Sequence, residues 1–351
     1  MNAKQLDIYD ITIIGGGPAG MYAAFYSGMR AMRTKLIDAK EELGGFMRTY
    51  PEKLVWDVGG VDPIRCERLI DSLEKQARTF DPTLVLGQEI AHMERQDDIF
   101  ILTSKTGGLH YTRTILLCAG RGMTQVQKLD IEGANRYELN NLHYTVTDLS
   151  RFKDQRVLIS GGGDSAVDWA NEIVSLAKQV IVVHRRNEFT AHELPVAQMK
   201  TSATVMTPYS ISRLYGVGER IGTVALEHAE TGEIEQIEVD EVIVSHGFDR
   251  DFGDLLNWGL DKEDYGVSVD QRMRTSIPGI FGAGDFITYG SKVRLIAGAF
   301  NDAVLAVNSA KLYLDPSASD MAGVSSHNAR FFEKNKAIGN EACGNLNVIQ
   351  S

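Results

Sequence analysis

Cysteine and proline are both scarce in this sequence, and each scarcity narrows the class of protein. Only three cysteines occur among 351 residues, Cys66, Cys118 and Cys343, and no two have C-x-x-C spacing. This pattern excludes a disulfide framework, a zinc ribbon and an iron–sulfur cluster held by this chain alone, and it predicts a reduced, cytoplasmic protein. The 8 prolines contrast with 34 glycines, a balance typical of tight strand-to-helix turns in which the backbone approaches a ligand.

Positive charge and long apolar stretches are also lacking. The 36 lysines and arginines are outnumbered by 47 acidic residues, so the net charge is −11. A chain this acidic is poorly suited to binding nucleic acid or an anionic membrane surface. No run of about 18 apolar residues is present, and residues 1–10 are too polar for a signal peptide. We therefore expect neither a nucleic-acid partner nor a membrane partner.

What is present is a strand–turn–helix–strand pattern near the start of the chain. Tyr9–Ile14 is predicted to be a buried strand, and it leads into the sequence GGGPAG at residues 15–20. A helix is predicted next, followed by a strand over Thr34–Ile37 that ends at Asp38. Such a unit binds a dinucleotide, with the pyrophosphate at the helix N-terminus and the ribose on the terminal carboxylate. The candidate binding residues are Gly15, Gly17, Pro18, Ala19, Gly20 and Asp38.

The same pattern returns in the middle of the chain with a different ending. A predicted strand over Arg156–Ser160 leads into GGGDSA at residues 161–166, and a second predicted strand covers Gln179–Val183. Two arginines then follow where the first unit has its acid, and a guanidinium can hold the 2′-phosphate of NADP that a carboxylate would repel. The candidate binding residues are Gly161, Gly163, Asp164, Ser165, Ala166, His184, Arg185 and Arg186.

Two dinucleotide sites in one chain indicate the fold class and the type of chemistry. We expect an α/β protein with two Rossmann-like dinucleotide-binding domains, which agrees with about 150 residues per domain. Hydride transfer between a nicotinamide and a flavin is the natural reaction, because the flavin stays bound while the nicotinamide exchanges. No metal site is expected.

Three further segments resemble the low-molecular-weight pyridine nucleotide–disulfide oxidoreductases, of which thioredoxin reductase is typical. They are residues 115–120 (ILLCAG), 245–248 (SHGF) and 277–285 (IPGIFGAGD). The resemblance implies that FAD binds to the first fingerprint and NADPH to the second. It also implies an NADPH domain at 123–247 inserted into a discontinuous FAD domain at 1–122 and 248–320, with an extension at 321–351 that covers the flavin.

One departure from that family indicates a subfamily. Residues 141–148 (NLHYTVTD) lack the C-x-x-C pair that thioredoxin reductases carry before the second fingerprint. The chain instead resembles the thioredoxin-reductase-like ferredoxin–NADP reductases, in the strings at 50–53 (YPEK), 162–170 (GGDSAVDWA) and 191–193 (AHE). That likeness implies a homodimer in which FAD passes electrons from NADPH to ferredoxin or flavodoxin.

The resemblance also carries over individual residues. Tyr50 and His327 match the two rings that cover the flavin faces, and Asp285 matches the acid that meets its ribityl chain. The chain departs from the pattern at Phe46, which replaces a glutamine, and at Thr190, which stands where an arginine is common. The further cofactor-binding residues implied are Gly45, Tyr50, Ile90, Thr124, Gly284, Asp285 and His327.

Two questions stay open at this level. The electron acceptor could instead be a low-molecular-weight disulfide, a quinone or a ferric complex, and a non-enzymatic redox sensor that binds both cofactors is a second alternative. An acidic ferredoxin requires a local basic patch on this acidic chain. The candidate clusters are Arg30, Arg33 and Lys35, or Arg330, Lys334 and Lys336.

Overall fold

The computed structural model describes residues 6–263, 266–321 and 323–338. These residues divide into two compact units, and the longer segment of unit 2 is an insertion within the sequence of unit 1. Unit 1 contains the described chain up to Arg48, Leu54–Met123 and the described chain from Phe252 onward. Unit 2 contains Thr49–Lys53 and Thr124–Asp251.

Both units combine helices and strands, as expected for the α/β class. The helices are α1 (Pro18–Met29), α2 (Cys66–Ala77), α3 (Asp164–Ile173), α4 (Glu193–Ser202) and α5 (Ile296–Leu314). The strands are β1 (Ile8–Tyr9), β2 (Ile11–Ile14), β3 (Thr34–Ile37), β4 (Leu54–Val55), β5 (Ile64–Arg65), β6 (Thr83–Val85), β7 (Ile90–Gln96), β8 (Ile99–Ser104), β9 (Leu109–Thr112), β10 (Ile115–Leu117), β11 (Met123–Val126), β12 (Leu142–His143), β13 (Arg156–Ser160), β14 (Gln179–Val183), β15 (Thr204–Met206), β16 (Tyr209–Val217), β17 (Arg220–His228), β18 (Ile234–Glu238), β19 (Glu241–Val244), β20 (Phe248–Asp251), β21 (Lys262–Glu263), β22 (Gly266–Ser268), β23 (Ile280–Gly282) and β24 (Ile287–Thr288).

Unit 1 is built on a parallel sheet in the order β23-β10-β2-β3-β6. Alternate residues of a strand point to opposite faces, and β2 shows this directly. Ile11 and Ile13 pack with α1, α2 and α5 on one face, whereas Ile14 packs on the other face with Phe100 of β8. Both faces of the sheet are therefore covered, which explains why the strands are apolar throughout.

The first predicted strand is corrected in one respect. The sequence predicts one continuous strand over Tyr9–Ile14, but the structure divides it at Asp10 into β1 and β2. β1 pairs with β9 in a separate four-stranded sheet, and the Asp10 carboxylate accepts a hydrogen bond from the Arg33 backbone N–H at 2.8 Å. Hydrophobicity alone did not reveal this break, because both strands are apolar.

Unit 2 repeats the arrangement with a second parallel sheet, in the order β12-β19-β13-β14-β15. The predicted strands Arg156–Ser160 and Gln179–Val183 are confirmed as β13 and β14. Val157 and Ile159 pack with α3, and Leu158 faces the antiparallel sheet β16-β17-β18. The prediction of two Rossmann-like units in one chain is confirmed.

The parallel topology decides where each site forms. In unit 1 the carboxyl ends of β2, β3, β10 and β23 meet at one sheet edge, which gathers the segments that follow them. In unit 2 the carboxyl ends of β13, β14 and β19 do the same for residues 161–163, 184–186 and 245–247. Among the described residues, no helix is long and apolar enough to cross a membrane.

Candidate dinucleotide-binding sites

The turn before α1 offers a backbone surface suited to a pyrophosphate. The helix begins with Pro18, its N-cap residue is Gly17 without a side-chain cap, and its first turn carries no acid. Backbone N–H groups at such a helix end are donors for an anion, and the helix dipole adds to the attraction. The residues present therefore fit the phosphates of a dinucleotide.

Close backbone contacts explain the glycines of this turn. Gly15 has a φ of +108°, and an added Cβ would lie 2.3 Å from the Cys118 carbonyl oxygen. At Gly20 an added Cβ would lie 1.8 Å from the Gly15 carbonyl oxygen. Gly45 approaches the same turn, since its added Cβ would be 2.9 Å from the Gly17 Cα. Backbone atoms therefore pack closely around this turn, and side chains at these glycine positions would fill the space within it.

Asp38, at the end of β3, is oriented by the same turn. Its carboxylate accepts hydrogen bonds from the Gly16 N–H at 2.5 Å and the Lys40 N–H at 2.7 Å, and the residue is 8% exposed. An ionised carboxylate has about four lone-pair sites, so capacity remains for ribose hydroxyls. Asp38 stands where the sequence places a ribose acceptor.

The turn after β23 is held by a buried charged cluster that sequence analysis missed. Gly284 has a φ of +76°, and its N–H donates to the Asp302 carboxylate at 3.1 Å. Asp302 is fully buried, forms an ion pair with the buried Lys292, and accepts the Tyr289 hydroxyl at 2.8 Å. Burial, and then the hydrogen bond to Asp302, raises the pKa of Tyr289 to about 12. The sequence offered one signal of this cluster, a single acidic residue, Asp302, on the apolar face of α5.

Asp285 follows that turn and lies beside an arginine of the same edge. The Arg121 Nε is 3.5 Å from the Asp285 carboxylate, and the Arg121 guanidinium lies 4.7 Å from the centre of the Phe46 ring. Arg121 follows β10 and Phe46 follows Gly45, so three separate segments meet at the carboxyl edge of the unit 1 sheet. No sequence pattern singled out Arg121.

Ile90 and Thr124 are placed differently within the fold. Ile90 begins β7 and is buried in the same hydrophobic cluster as Ile14 and Ile37. Thr124 lies in β11, which pairs with β20. Contact of either residue with a cofactor stays a prediction.

The second fingerprint turn differs from the first in its charges. α3 begins with Asp164, whose carboxylate accepts a hydrogen bond from the His192 N–H at 3.1 Å. The backbone N–H and the hydroxyl of Thr190 both donate to the Gly162 carbonyl, at 2.8 and 3.2 Å. The loop from His184 to His192 is therefore fastened to the turn, and Thr190 acts here as a clamp.

Of the three residues that directly follow β14, the first packs against the turn and the other two are exposed. An added Cβ on Gly162 would lie 2.3 Å from the His184 ring, which also contacts the Phe189 ring at 5.3 Å. Burial lowers the pKa of His184, so the ring is neutral at neutral pH. Arg185 and Arg186 are exposed, as a site for an exchanging phosphate requires.

Tyr50 belongs to the short segment that groups with unit 2. Its hydroxyl is 3.2 Å from the Ser165 hydroxyl, and its ring contacts the Trp169 ring at 6.3 Å. Lys53 of the same segment forms an ion pair with Asp168 at 2.6 Å. Tyr50 and Ser165, predicted separately for two cofactors, are thus hydrogen-bonded to each other.

His327 is exposed and lies in a short segment attached to the C-terminal end of α1. The Asn328 side chain donates to the Met29 carbonyl at 2.9 Å, and Arg330 donates to the Gly28 carbonyl. Phe331 packs against Phe80, with ring centres 5.2 Å apart. The 12 residues of α1 span about 18 Å, so His327 lies at the opposite end of this helix from the fingerprint turn.

One proposed basic patch is wrong. Arg33 forms an ion pair with Asp7, and Arg30 donates to the carbonyls of Ser319 and Met321. Lys35 is only 6% exposed, with its amine 4.0 Å from the centre of the Tyr9 ring, and burial lowers its pKa. Lys35 lies in β3, which is buried along its whole length because both faces of the sheet are covered, so the three residues do not form one exposed cationic surface.

Cysteines and metal ligands contribute little to either site. Cys66 and Cys118 are buried, and burial raises the pKa of the Cys118 thiol far above its usual range. Cys343 lies outside the described residues. The part of the chain that the structure describes holds no cluster of three or more acidic, histidine or cysteine side chains suited to a metal ion.

Comparison with known proteins places these sites in context. The family model described as pyridine nucleotide-disulphide oxidoreductase matches residues 9–310. A protein named ferredoxin–NADP reductase 1 from Bacillus pumilus (strain SAFR-032) is 53% identical over 338 residues, covering 95% of this chain and 98% of that protein. A protein of the same name from Shouchella clausii (strain KSM-K16) is 49% identical, covering 96% of this chain and 98% of that protein.

A solved structure gives the same result for the fold. The crystal structure of Lactococcus lactis thioredoxin reductase in the FR conformation is 26% identical, with a TM-score of 0.74. The match covers 87% of this chain and 99% of that chain. The similarity therefore extends over both units and is not limited to the glycine-rich turns.

Proposed function

This chain belongs to the pyridine nucleotide-disulphide oxidoreductase family, and we propose that it transfers electrons between NADPH and ferredoxin through a bound FAD. The observation that carries this proposal is a likeness of about half the residues, over nearly the whole chain, to proteins named ferredoxin–NADP reductase. The absence of a C-x-x-C pair from residues 141–148 supports the proposal, since this segment then has no dithiol that could accept electrons from the flavin.

Unit 1 is the FAD-binding unit in this proposal. Backbone N–H groups at the start of α1 hold the pyrophosphate, Asp38 accepts a ribose hydroxyl, and Asp285 accepts a ribityl hydroxyl. The bound flavin supplies the redox chemistry, accepting a hydride and releasing single electrons. The protein contributes position and charge, because backbone N–H groups orient Asp38 and the ion pair with Arg121 accompanies Asp285.

Unit 2 is the NADPH-binding unit. Arg185 and Arg186 are exposed at the carboxyl end of β14, where a 2′-phosphate can form charge-assisted hydrogen bonds with them. Thr190 and Asp164 hold the loop that follows, so the two arginines are presented from a fastened segment. The predicted boundaries of both domains are part of this proposal.

The working molecule is a cytoplasmic homodimer in this proposal, with two rings that cover the flavin. Tyr50 covers one flavin face and His327 the other. Because His327 is attached to the far end of α1 from its own fingerprint turn, we assign it to the flavin of a second copy of the chain. If His327 covers a flavin face, a His327→Ala variant should keep its FAD and its flavin should be reduced faster by NADPH. An unchanged stopped-flow trace would contradict the placement of His327 on a flavin face.

The visible spectrum of the purified protein tests the proposed function. Bound flavin should be bleached by NADPH under argon, and oxidised ferredoxin should restore the colour within the turnover time. In a matched assay, ferredoxin is replaced by a low-molecular-weight disulfide, a quinone or a ferric complex. Each is added in an amount that accepts the same number of electrons. Faster recovery with one of these acceptors would overturn ferredoxin as the acceptor, and a flavin that NADPH does not bleach would favour a redox sensor.

A further inference from the structure

Arg121 is the cation nearest to the candidate ribityl acceptor among the described ion pairs of unit 1. Its Nε lies 3.5 Å from the Asp285 carboxylate. The guanidinium also lies 4.7 Å from the centre of the Phe46 ring, close enough for a cation–π contact that holds it at this edge. Neither contact follows from neighbouring positions in the chain, since the three residues come from three different segments.

The acid beside Arg121 cannot easily move away from it. Asp285 follows Gly284, whose left-handed conformation and hydrogen bond to the buried Asp302 fix the direction of the turn. The Arg121 side chain is 38% exposed and that of Asp285 is 25% exposed, so a ligand can approach both. The pair therefore forms part of the lining at the carboxyl edge of the sheet, between the ends of β10 and β23.

We propose that Arg121 is a positioning residue for FAD, which holds the Asp285 carboxylate and balances its charge beside the flavin. This inference rests on the proposed function, because it takes unit 1 as the FAD-binding unit. An unpaired carboxylate at the ribityl chain would oppose reduction of the attached ring, since reduced flavin carries more negative charge than oxidised flavin. Arg121 removes that opposition and so raises the flavin midpoint potential and strengthens FAD binding.

The charge of Arg121 is tested by Arg121→Gln and Arg121→Lys. Arg113→Gln is the matched control, because Arg113 also pairs with an acid but lies before β10, at the opposite edge of the sheet. Three quantities are measured without NADPH or ferredoxin: FAD affinity of the apoprotein by flavin fluorescence, the flavin midpoint potential, and the unfolding temperature of the apoprotein.

Arg121→Gln should weaken FAD binding about tenfold, the loss of one charge-assisted interaction, and shift the midpoint potential to a more negative value. Arg121→Lys should restore most of the potential, and Arg113→Gln should change neither quantity. In an Asp285→Asn background the effect of Arg121→Gln on the potential should shrink, because the charge that Arg121 balances is then gone.

Two results would overturn this role. An Arg121→Gln protein with the wild-type potential and FAD affinity would show that the pair is only a surface contact. A lysine variant whose FAD affinity and potential are as impaired as those of the glutamine variant, with an equal loss of apoprotein stability, would show that Arg121 acts only through packing. A wild-type apoprotein that binds no FAD would overturn the proposed function itself, which distinguishes the two failures.

Discussion

The two glycine-rich turns follow the same strand–turn–helix path, yet they present opposite surroundings to a dinucleotide. The first is enclosed: Asp38 is 8% exposed and accepts hydrogen bonds from two backbone N–H groups, and the turn leads into a helix with no acid in its first turn. The second is open: Arg185 and Arg186 are exposed, and Asp164 occupies the first turn of its helix.

This difference teaches what each site is built to hold. An enclosed site whose donors and acceptors are already aligned loses little freedom on binding, which suits a cofactor that stays. Exposed arginines on a fastened loop suit a cofactor that arrives and leaves in every cycle. Under the proposed assignment, one fold supports both a resident and an exchanging ligand, and burial and the charge at the end of the second strand distinguish the two sites.

The comparison extends to ion pairs, where we expect the largest effect. Lys292→Met leaves the Asp302 carboxylate buried without its counter-charge, which should lower the free energy of unfolding by about 3–5 kcal/mol. Arg156→Gln in unit 2 breaks pairs that are partly exposed and should cost about 1 kcal/mol or less. Urea unfolding of both variants measures the difference, and equal losses would contradict it.

The sixth position of each fingerprint should separate the two turns next. Gly20→Ala would place a methyl group 1.8 Å from the Gly15 carbonyl oxygen, so the backbone must shift, at a cost of about 1–3 kcal/mol or more. The FAD content of the purified protein should fall with it. Ala166→Gly, the reverse change in the second turn, should cost about 1 kcal/mol of helix stability and leave FAD bound. A Gly20→Ala protein that retains its full FAD content and stability would contradict the expected difference between the two turns.

A change confined to the open site should affect nucleotide choice and leave stability unchanged. Arg185→Ala removes one charged hydrogen bond, about 1.5–3 kcal/mol, so kcat/KM for NADPH should fall roughly tenfold to a hundredfold. NADH turnover and FAD content should stay the same. Arg213→Ala, on β16, serves as the control for loss of an exposed positive charge. An intact NADPH to NADH ratio in the Arg185→Ala protein would contradict the assignment of the second site.

The smallest effect is expected from the thiols. Replacing Cys66 by serine, Cys118 by alanine and Cys343 by serine together should preserve NADPH-driven reduction of ferredoxin or ferricyanide. Cys118 lies behind the first turn, where its carbonyl contacts Gly15, but its buried thiol is strongly disfavoured as a thiolate. Loss of electron transfer with FAD still bound would favour the disulfide reductase alternative.

Sequence reasoning succeeded where local pattern decides structure. β3, β13 and β14 have the predicted bounds, because each is a short apolar run between clear turn signals. It failed at β1, where both sides of Asp10 are apolar and only pairing with β9 reveals the break. It also failed for Lys35, because β3 lies in a sheet that is covered on both faces and all four of its residues are buried, whatever their charge.

The order of the two fingerprints, their glycines and the acid or arginines that end them could all be read from the sequence by itself, since these features are local. Only the tertiary structure decided that Phe46, Arg121 and Asp285 meet, and that Asp302 lies beneath Gly284. The physical reason is the parallel sheet, which brings the carboxyl ends of strands from distant parts of the chain to one edge. Charges that are remote in sequence become neighbours there, and no local pattern records the distance between them.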